Sequence, residues 1–340
     1  MHYVSGTTTD FHDIVDAMVN LMTSALGGGW TVIMSRNTRD NAANYGASVE
    51  EPDMASTCTE MILKSTGYGG ADNFYIGIRE WDRDDYATPL SGFDLAVLNH
   101  FVLAPPTIWN YLYGTMTGAI NTYNNTYNRF SSHPGFCTTQ GVNMDYWISS
   151  SPQRVMAVVK ILSNYESFYV GAGDRFGNPS DYPCPMFACS TSQGINAPDE
   201  ALATRAKFVP AGGSVAHVIT PGNYMLTAGN ILTLPYEQMQ NVTSYELQSL
   251  NNDRRLCMPV LLVNASTNPH ELLMELEGVY QIFGQLISSE DEISIDGSRH
   301  LVFQNLHETD YYQYMAFPIA TSTTTTTTTS TTTTTTTTTV

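Results

Sequence analysis

Three stretches hold residue types that could do chemistry. "EWDRDD" gathers Glu80, Asp82, Asp84 and Asp85, and glycoside hydrolases use two such carboxyls, one as acid and one as base or nucleophile. "VGAGDRFG" supplies Gly171, Gly173 and Gly177, one residue away from the G-x-G-x-x-G spacing of a dinucleotide loop. Cys184 and Cys189 stand five apart, within reach of a shared metal ion. Each needs a context before it can act.

The glycines need a helix behind them, so that its first N–H groups face a phosphate. "NPSDYPCPM" follows instead, and its three prolines forbid a helix. A structural zinc site needs two close pairs of ligands, and no second pair accompanies Cys184 and Cys189. The eight histidines show no H-x-x-x-H or H-E-x-x-H spacing. Glu290, Asp291, Glu292 and Asp296 in "SSEDEISIDG" lack the spacing of a calcium loop and read as a solvated acidic turn. The acids at 80–85 follow a strand-like run and read as a charged turn. No G-x-S-x-G elbow occurs. The expectation is a protein without catalytic, cofactor-binding or metal-binding residues, in which residues 165–192 form a hairpin strand and its proline–aromatic return.

The elements that would carry these residues are mostly strands. Phe11, Ile14, Val15, Met18, Val19, Met22 and Leu26 recur at helical spacing, after Thr9 or Asp10 as a cap and before "GGG" at 27–29. "WTVIMSR", "TEMILKS" and "NFYIGIREW" read as strands. "SGFDLAVLNHFVLAPP" is expected to begin helically, and the aromatic, glycine-dotted stretch to residue 143 to form short strands and loops. Two strands flank "SSSPQ" and a third follows "SNYE". Further strands are expected at "AHVIT", "CMPVLLVN", "HELLMELEGVYQIFG", "EISIDGSRHLVFQN" and "DYYQYMAFPI", with a helical or turn-like piece near "LPYEQMQN". This gives an α+β, β-rich fold. A small α+β domain spans residues 1–130, an antiparallel β-domain 131–320, and a low-complexity threonine tail 321–340. That tail cannot bury apolar area against its ordering entropy. It is expected to be disordered alone or ordered by pairing with a neighbour's sheet edge.

Composition bounds the partners. The 340 residues carry a net charge of −18, and Lys64, Lys160 and Lys207 are the only lysines. Nucleic-acid binding needs clustered Lys and Arg, so none is expected. Charged residues make up only 14%, about half the usual share, leaving a polar, aromatic surface suited to protein contacts. No apolar run reaches a membrane-span length, and no early segment has the pattern of a signal peptide. Five scattered cysteines suit a reducing compartment, so synthesis in a cytoplasm is expected.

"YWISSSPQRVMAVVKILSNYESFYVGAGDRFGNPSDYPCPMFACSTS" resembles a segment of structural proteins of tailed bacteriophage virions. Tyr146, Trp147, Tyr165, Tyr169, Gly171, Pro179, Tyr182, Pro183 and Pro185 carry the likeness. "YVSGTTTDFHDIVDAMVNLM" and "EMILKSTGYGGADNFYIGI" resemble the same family's opening, and "MELEGVY", "EDEISIDGSRHLVFQN" and "YMAFPI" its close. The resemblance implies a non-enzymatic neck, tail or baseplate subunit, built into the virion as a homo-oligomeric ring beside other virion proteins. Trp147, Tyr165, Tyr169, Phe176, Tyr182, Pro183 and Pro185 are then the candidate interface residues. Cys184 and Cys189 depart from the family pattern and leave a virion disulfide open. A glycan-binding adhesion module of a phage appendage is the alternative, and a glycan hydrolase using the acids near 80–85 a weaker one.

Overall fold

The structure, a computed structural model, describes residues 1–24, 29–37, 59–65, 74–83, 90–98, 134–162, 164–175, 186–190, 192–193, 215–219, 225–227, 231–234, 256–264, 269, 271–283, 287–304 and 313–319. The chain opens with β1 (His2–Thr8) and α1 (Phe11–Thr23), then β2 (Trp30–Asn37), β3 (Thr59–Ser65), β4 (Phe74–Arg83) and β5 (Leu90–Leu98). After β6 (Pro134–Thr139) come β7 (Met144–Ser150), β8 (Arg154–Ile161), β9 (Asn164–Ala172) and the two-residue β10 (Asp174–Arg175). Next are β11 (Met186–Ser190), β12 (Ser192–Gln193), β13 (Val215–Ile219) and β14 (Met225–Thr227). The last strands are β15 (Ile231–Leu234), β16 (Leu256–Asn264), β17 (Glu271–Phe283), β18 (Glu292–Ile295), β19 (Ser298–Gln304) and β20 (Gln313–Pro318). The fold is β-rich and antiparallel, with α1 as the one helix among the described residues.

These strands form three sheets. The central sheet runs β1-β7-β8-β9-β11-β13-β14, the amino-terminal sheet β12-β6-β5-β4-β3-β2, and the carboxy-terminal sheet β15-β16-β17-β20-β19-β18 with β10 on β17. Successive strand residues face opposite ways, and β8 shows what that means here. Val155, Ala157 and Val159 enter a core shared with α1 and the amino-terminal sheet, where they meet Leu63, Ile76, Ile78, Phe93 and Phe136. Met156 and Val158 enter a second core with Leu262, Leu273, Leu276, Phe303 and Phe317 of the carboxy-terminal sheet. The continuous apolar run "VMAVV" follows from burial on both faces rather than one.

The helix is amphipathic as its spacing requires. Phe11, Ile14, Val15, Met18 and Met22 are buried, and the Asp10 carboxylate accepts from the His12 N–H at 2.9 Å, satisfying one of the unpaired first-turn donors. The part of the expected helix beyond Ser24, residues 25–28, lies outside the described residues.

One element differs in type from the expectation. "LSGFDLAVL" is strand β5, not the start of a helix, because Phe93 and Leu95 alternate into the first core while β4 and β6 pair along its two edges. Long-range pairing overrides a local preference for helix. Strands on either side of residue 130 share sheets, through the β1–β7 and β5–β6 ladders. Past residue 230 every described strand belongs to the carboxy-terminal sheet, which takes only β10 from earlier in the chain. The stretches 101–133, 235–255 and 320–340, which include the expected piece near "LPYEQMQN" and the threonine tail, lie outside the described residues.

Candidate functional site

The seam between the central and carboxy-terminal sheets collects the aromatic residues singled out in the sequence. Trp147 on β7 is half-buried, its ring 5.0 Å from Phe303 of β19 and 6.3 Å from Tyr165. Tyr165 on β9 lies 5.4 Å from Phe303 and retains 8% exposure. Tyr169, four residues on and on the same face, is fully buried and donates its hydroxyl to the Ala172 carbonyl at 2.7 Å. These three candidate interface residues therefore find their contacts within the chain. Phe176, Tyr182, Pro183 and Pro185, and Cys184 with them, lie outside the described residues. Of Cys189 the described feature is its backbone place in β11, opposite Tyr169 and Ala216.

The same face carries a polar junction that sequence reasoning missed. Arg154 opens β8 with no exposed area, and its Nη1 pairs with Oε2 of Glu277 on β17 and lies 3.4 Å from Ser151 Oγ. β17 is irregular at that point. As β16 advances from Pro259 to Leu261, the partner on β17 steps from Tyr280 to Glu275, so Val260 alone stands opposite residues 276–279. Gly278 inside this bulge has φ +76°, and a Cβ there would come within 3.2 Å of Arg154 Nη2. On the opposing strand Gly171, cross-strand from Arg154, has φ +136°, and a Cβ would run into the Gln153 carbonyl and the Arg154 Cα. Gly278 thus leaves room for the buried guanidinium, and Gly171 for the backbone that carries it.

Polar satisfaction at the junction is incomplete. Arg154 Nε and Nη2, Ser149 Oγ and Gln281 Nε2 are buried without a hydrogen-bond partner. Ser149 pairs with Met156 and Tyr3, and Gln281 with Met315; all three of those neighbours belong to the seam core. Of the five such atoms among the described residues, only Glu166 Oε2 lies on the other face of the central sheet. Burial pushes the Glu166 carboxyl up to about 8, since the charged form loses its water and gains nothing in return.

At one end the seam is closed by charge. Lys160 Nζ lies 2.5 Å from Glu290 Oε1, and the Tyr165 hydroxyl donates to the same oxygen at 2.6 Å. Burial draws the Glu290 carboxyl upward, but the hydrogen bonds from Lys160 and Tyr165 outweigh it and hold the group below its usual value. Glu292 is paired with Arg299 across the β18–β19 hairpin, Arg299 Nε donating at 2.6 Å. The acidic turn is therefore partly tied down by ion pairs. Within the turn the Asp291 carboxylate accepts from the Ser288 N–H at 2.7 Å.

Of the acids near residue 80, Glu80 and Asp82 lie on β4. Glu80 is 3% exposed on the first core's margin, its Oε2 3.3 Å from His12 Nδ1 of α1. A carboxyl so placed faces the helix rather than a cleft. Asp84 and Asp85 lie outside the described residues. Among the described residues no group of three His, Cys, Asp or Glu side chains is placed to hold a metal ion, and no helix is long and apolar enough to cross a membrane. No protein-family model matches the chain, and no curated protein matches it.

Proposed function

We propose that this chain is a non-enzymatic structural subunit of a tailed-bacteriophage virion, a ring-forming part of the neck, tail or baseplate made in the host cytoplasm. One observation carries the reading. The stretch with the strongest resemblance to such proteins, residues 146–192, supplies β8, β9 and most of β7, the strands on which both other sheets pack. The likeness thus falls on the scaffold of the fold rather than on an appendage to it. The placement of charge agrees with a packing role, since Glu277, Glu290 and Glu292 are each engaged by a cation from another strand or loop.

Self-association has a ready element in β2. Within the amino-terminal sheet it pairs with β3 alone among the described residues, and its Val32 and Ile33 are both exposed, at 38% each. Sheet edges of this kind are templates for further pairing.

The test is quantitative mass spectrometry of purified particles, scaled to the major capsid protein, beside light scattering of the purified full chain. A copy number at a small multiple of three or six, with a closed oligomer in solution, is the expected result. Absence from particles overturns the reading. Host-polysaccharide binding by a chain that stays monomeric would move it to an adhesion module.

A further inference from the structure

We propose that the carboxy-terminal sheet is an exchangeable unit: in the assembled state, residues 231–319 of one copy pack on the central sheet of a second copy of this chain. The inference deepens the ring-forming reading and rests on it.

Three observations lead there. The first is contiguity. The six strands β15 to β20 follow one another in sequence and fill one sheet, and among the described residues the only hydrogen-bonded strand this sheet takes from the rest of the chain is β10, over two residues. Because the unit is continuous, it can leave one body and join another without unthreading. The second is the connection. Between β14, the last strand of the central sheet, and β15 stand only three residues, 228–230. A connection three residues long is a short hinge, and short hinges favour exchange.

The third is the chemistry of the seam. Four of the five buried polar atoms without a partner among the described residues lie on it, whereas the other face of the central sheet holds one, Glu166 Oε2. A partly satisfied polar interface resembles the contacts between domains and between transient partners more than a single core, so it is the plane along which the molecule opens most cheaply. The seam's contacts are also identical in closed and exchanged forms. Arg154–Glu277, Lys160–Glu290 and the Trp147–Phe303 contact form equally well within one chain or between two. Exchange therefore sacrifices none of them, and each copy becomes linked to the next around a ring.

The Lys160–Glu290 pair provides the test, because it crosses the seam at 2.5 Å with both side chains partly exposed. Full-length chain labelled with nitrogen-15 and unlabelled chain are mixed in equal amounts, unfolded, refolded together and separated by size. The oligomer is treated with a carbodiimide, which joins a lysine amine to a contacting carboxylate, and the Lys160–Glu290 peptide is read by mass spectrometry. Exchange predicts that about half of these cross-links join a light to a heavy peptide, as random neighbours in a closed ring require. Closed oligomers whose Lys160–Glu290 cross-links are all isotopically pure overturn the exchange and leave the ring reading standing. A chain that stays monomeric removes the ring reading, and the exchange with it.

Discussion

The two faces of the central sheet pack against different kinds of surface. Toward α1 and the amino-terminal sheet, Phe168 meets Phe93 edge-on at 5.4 Å within a layer of Ile, Val, Leu and Met. Toward the carboxy-terminal sheet, the neighbouring Tyr169 lies in a layer that also holds a buried guanidinium, a serine, a glutamine and a three-ring cluster of Trp147, Tyr165 and Phe303. The first face supplies stability with little directional content. The second trades some of it for groups that fit in one register alone, which suits a surface that must find its partner again after parting.

That contrast can be broken at the unpartnered carboxyl on the first face. Glu166 sits on the apolar face, yet its carboxyl is raised from 4.5 to about 8 by burial. The folded state therefore keeps a proton that the unfolded state releases across this window. Its contribution is fully present below pH 4.5 and is lost as pH rises through about 8, a span on the order of 5 kcal/mol. Urea titrations at pH 4.5, 6 and 8.5 should show this decline, and Glu166→Gln should flatten it and be the more stable protein at pH 8.5. An unchanged pH slope in the variant would place the titrating group elsewhere.

Truncation measures the apolar face directly. Phe168→Ala removes a ring buried to 1% and should cost about 4 kcal/mol, read as a lower urea midpoint at constant slope. The seam should answer differently. Glu277→Ala leaves the Arg154 guanidinium buried without its counter-charge and should cost about 3 kcal/mol. The double change Arg154→Met with Glu277→Leu should cost less than the single one, because a buried ion pair is replaced more cheaply than it is halved. If the double variant is worse than the sum of both singles, the junction contributes net stability and the two faces are more alike than their chemistry suggests.

Legibility in the sequence followed the same division. The stripe Phe11–Met22 and the apolar run of β8 announced the first core, because periodicity reports burial directly. β1 escaped notice: "HYVSGTT" is a half-exposed edge strand that exists by pairing with β7, 136 residues or more away, and no local pattern encodes that. β5 was misread because pairing with β4 and β6, rather than its own pattern, makes it a strand. The aromatic residues of β7 and β9 were singled out as candidate interface residues and pack within the chain; alternation gives the face of a strand and not the identity of the sheet it meets. Arg154 follows the turn at "SSSPQ", and the pair Glu277-Gly278 interrupts an apolar strand; neither was singled out in the sequence. The two become one feature only when the bulge of β17 is laid against the start of β8.

The smallest effect tests whether charge at the end of the seam orders it or merely decorates it. Tyr165→Phe removes the hydroxyl that donates to Glu290 at 2.6 Å but keeps the ring beside Phe303, so it should cost about 1 kcal/mol. Glu290 is held below its usual value, so what it contributes is present above pH 4.5 and lost as pH falls through its folded value. Lys160 is raised from 10.5 by its hydrogen bond to Glu290, and its contribution is lost only as pH rises through that higher value. Between those limits the pair is intact, and the Tyr165→Phe deficit should be constant from pH 6 to 9 and shrink below pH 4 as Glu290 takes up a proton. A deficit that persists unchanged into acid would show that the phenol acts through packing alone. The seam would then owe its register to the Arg154 junction.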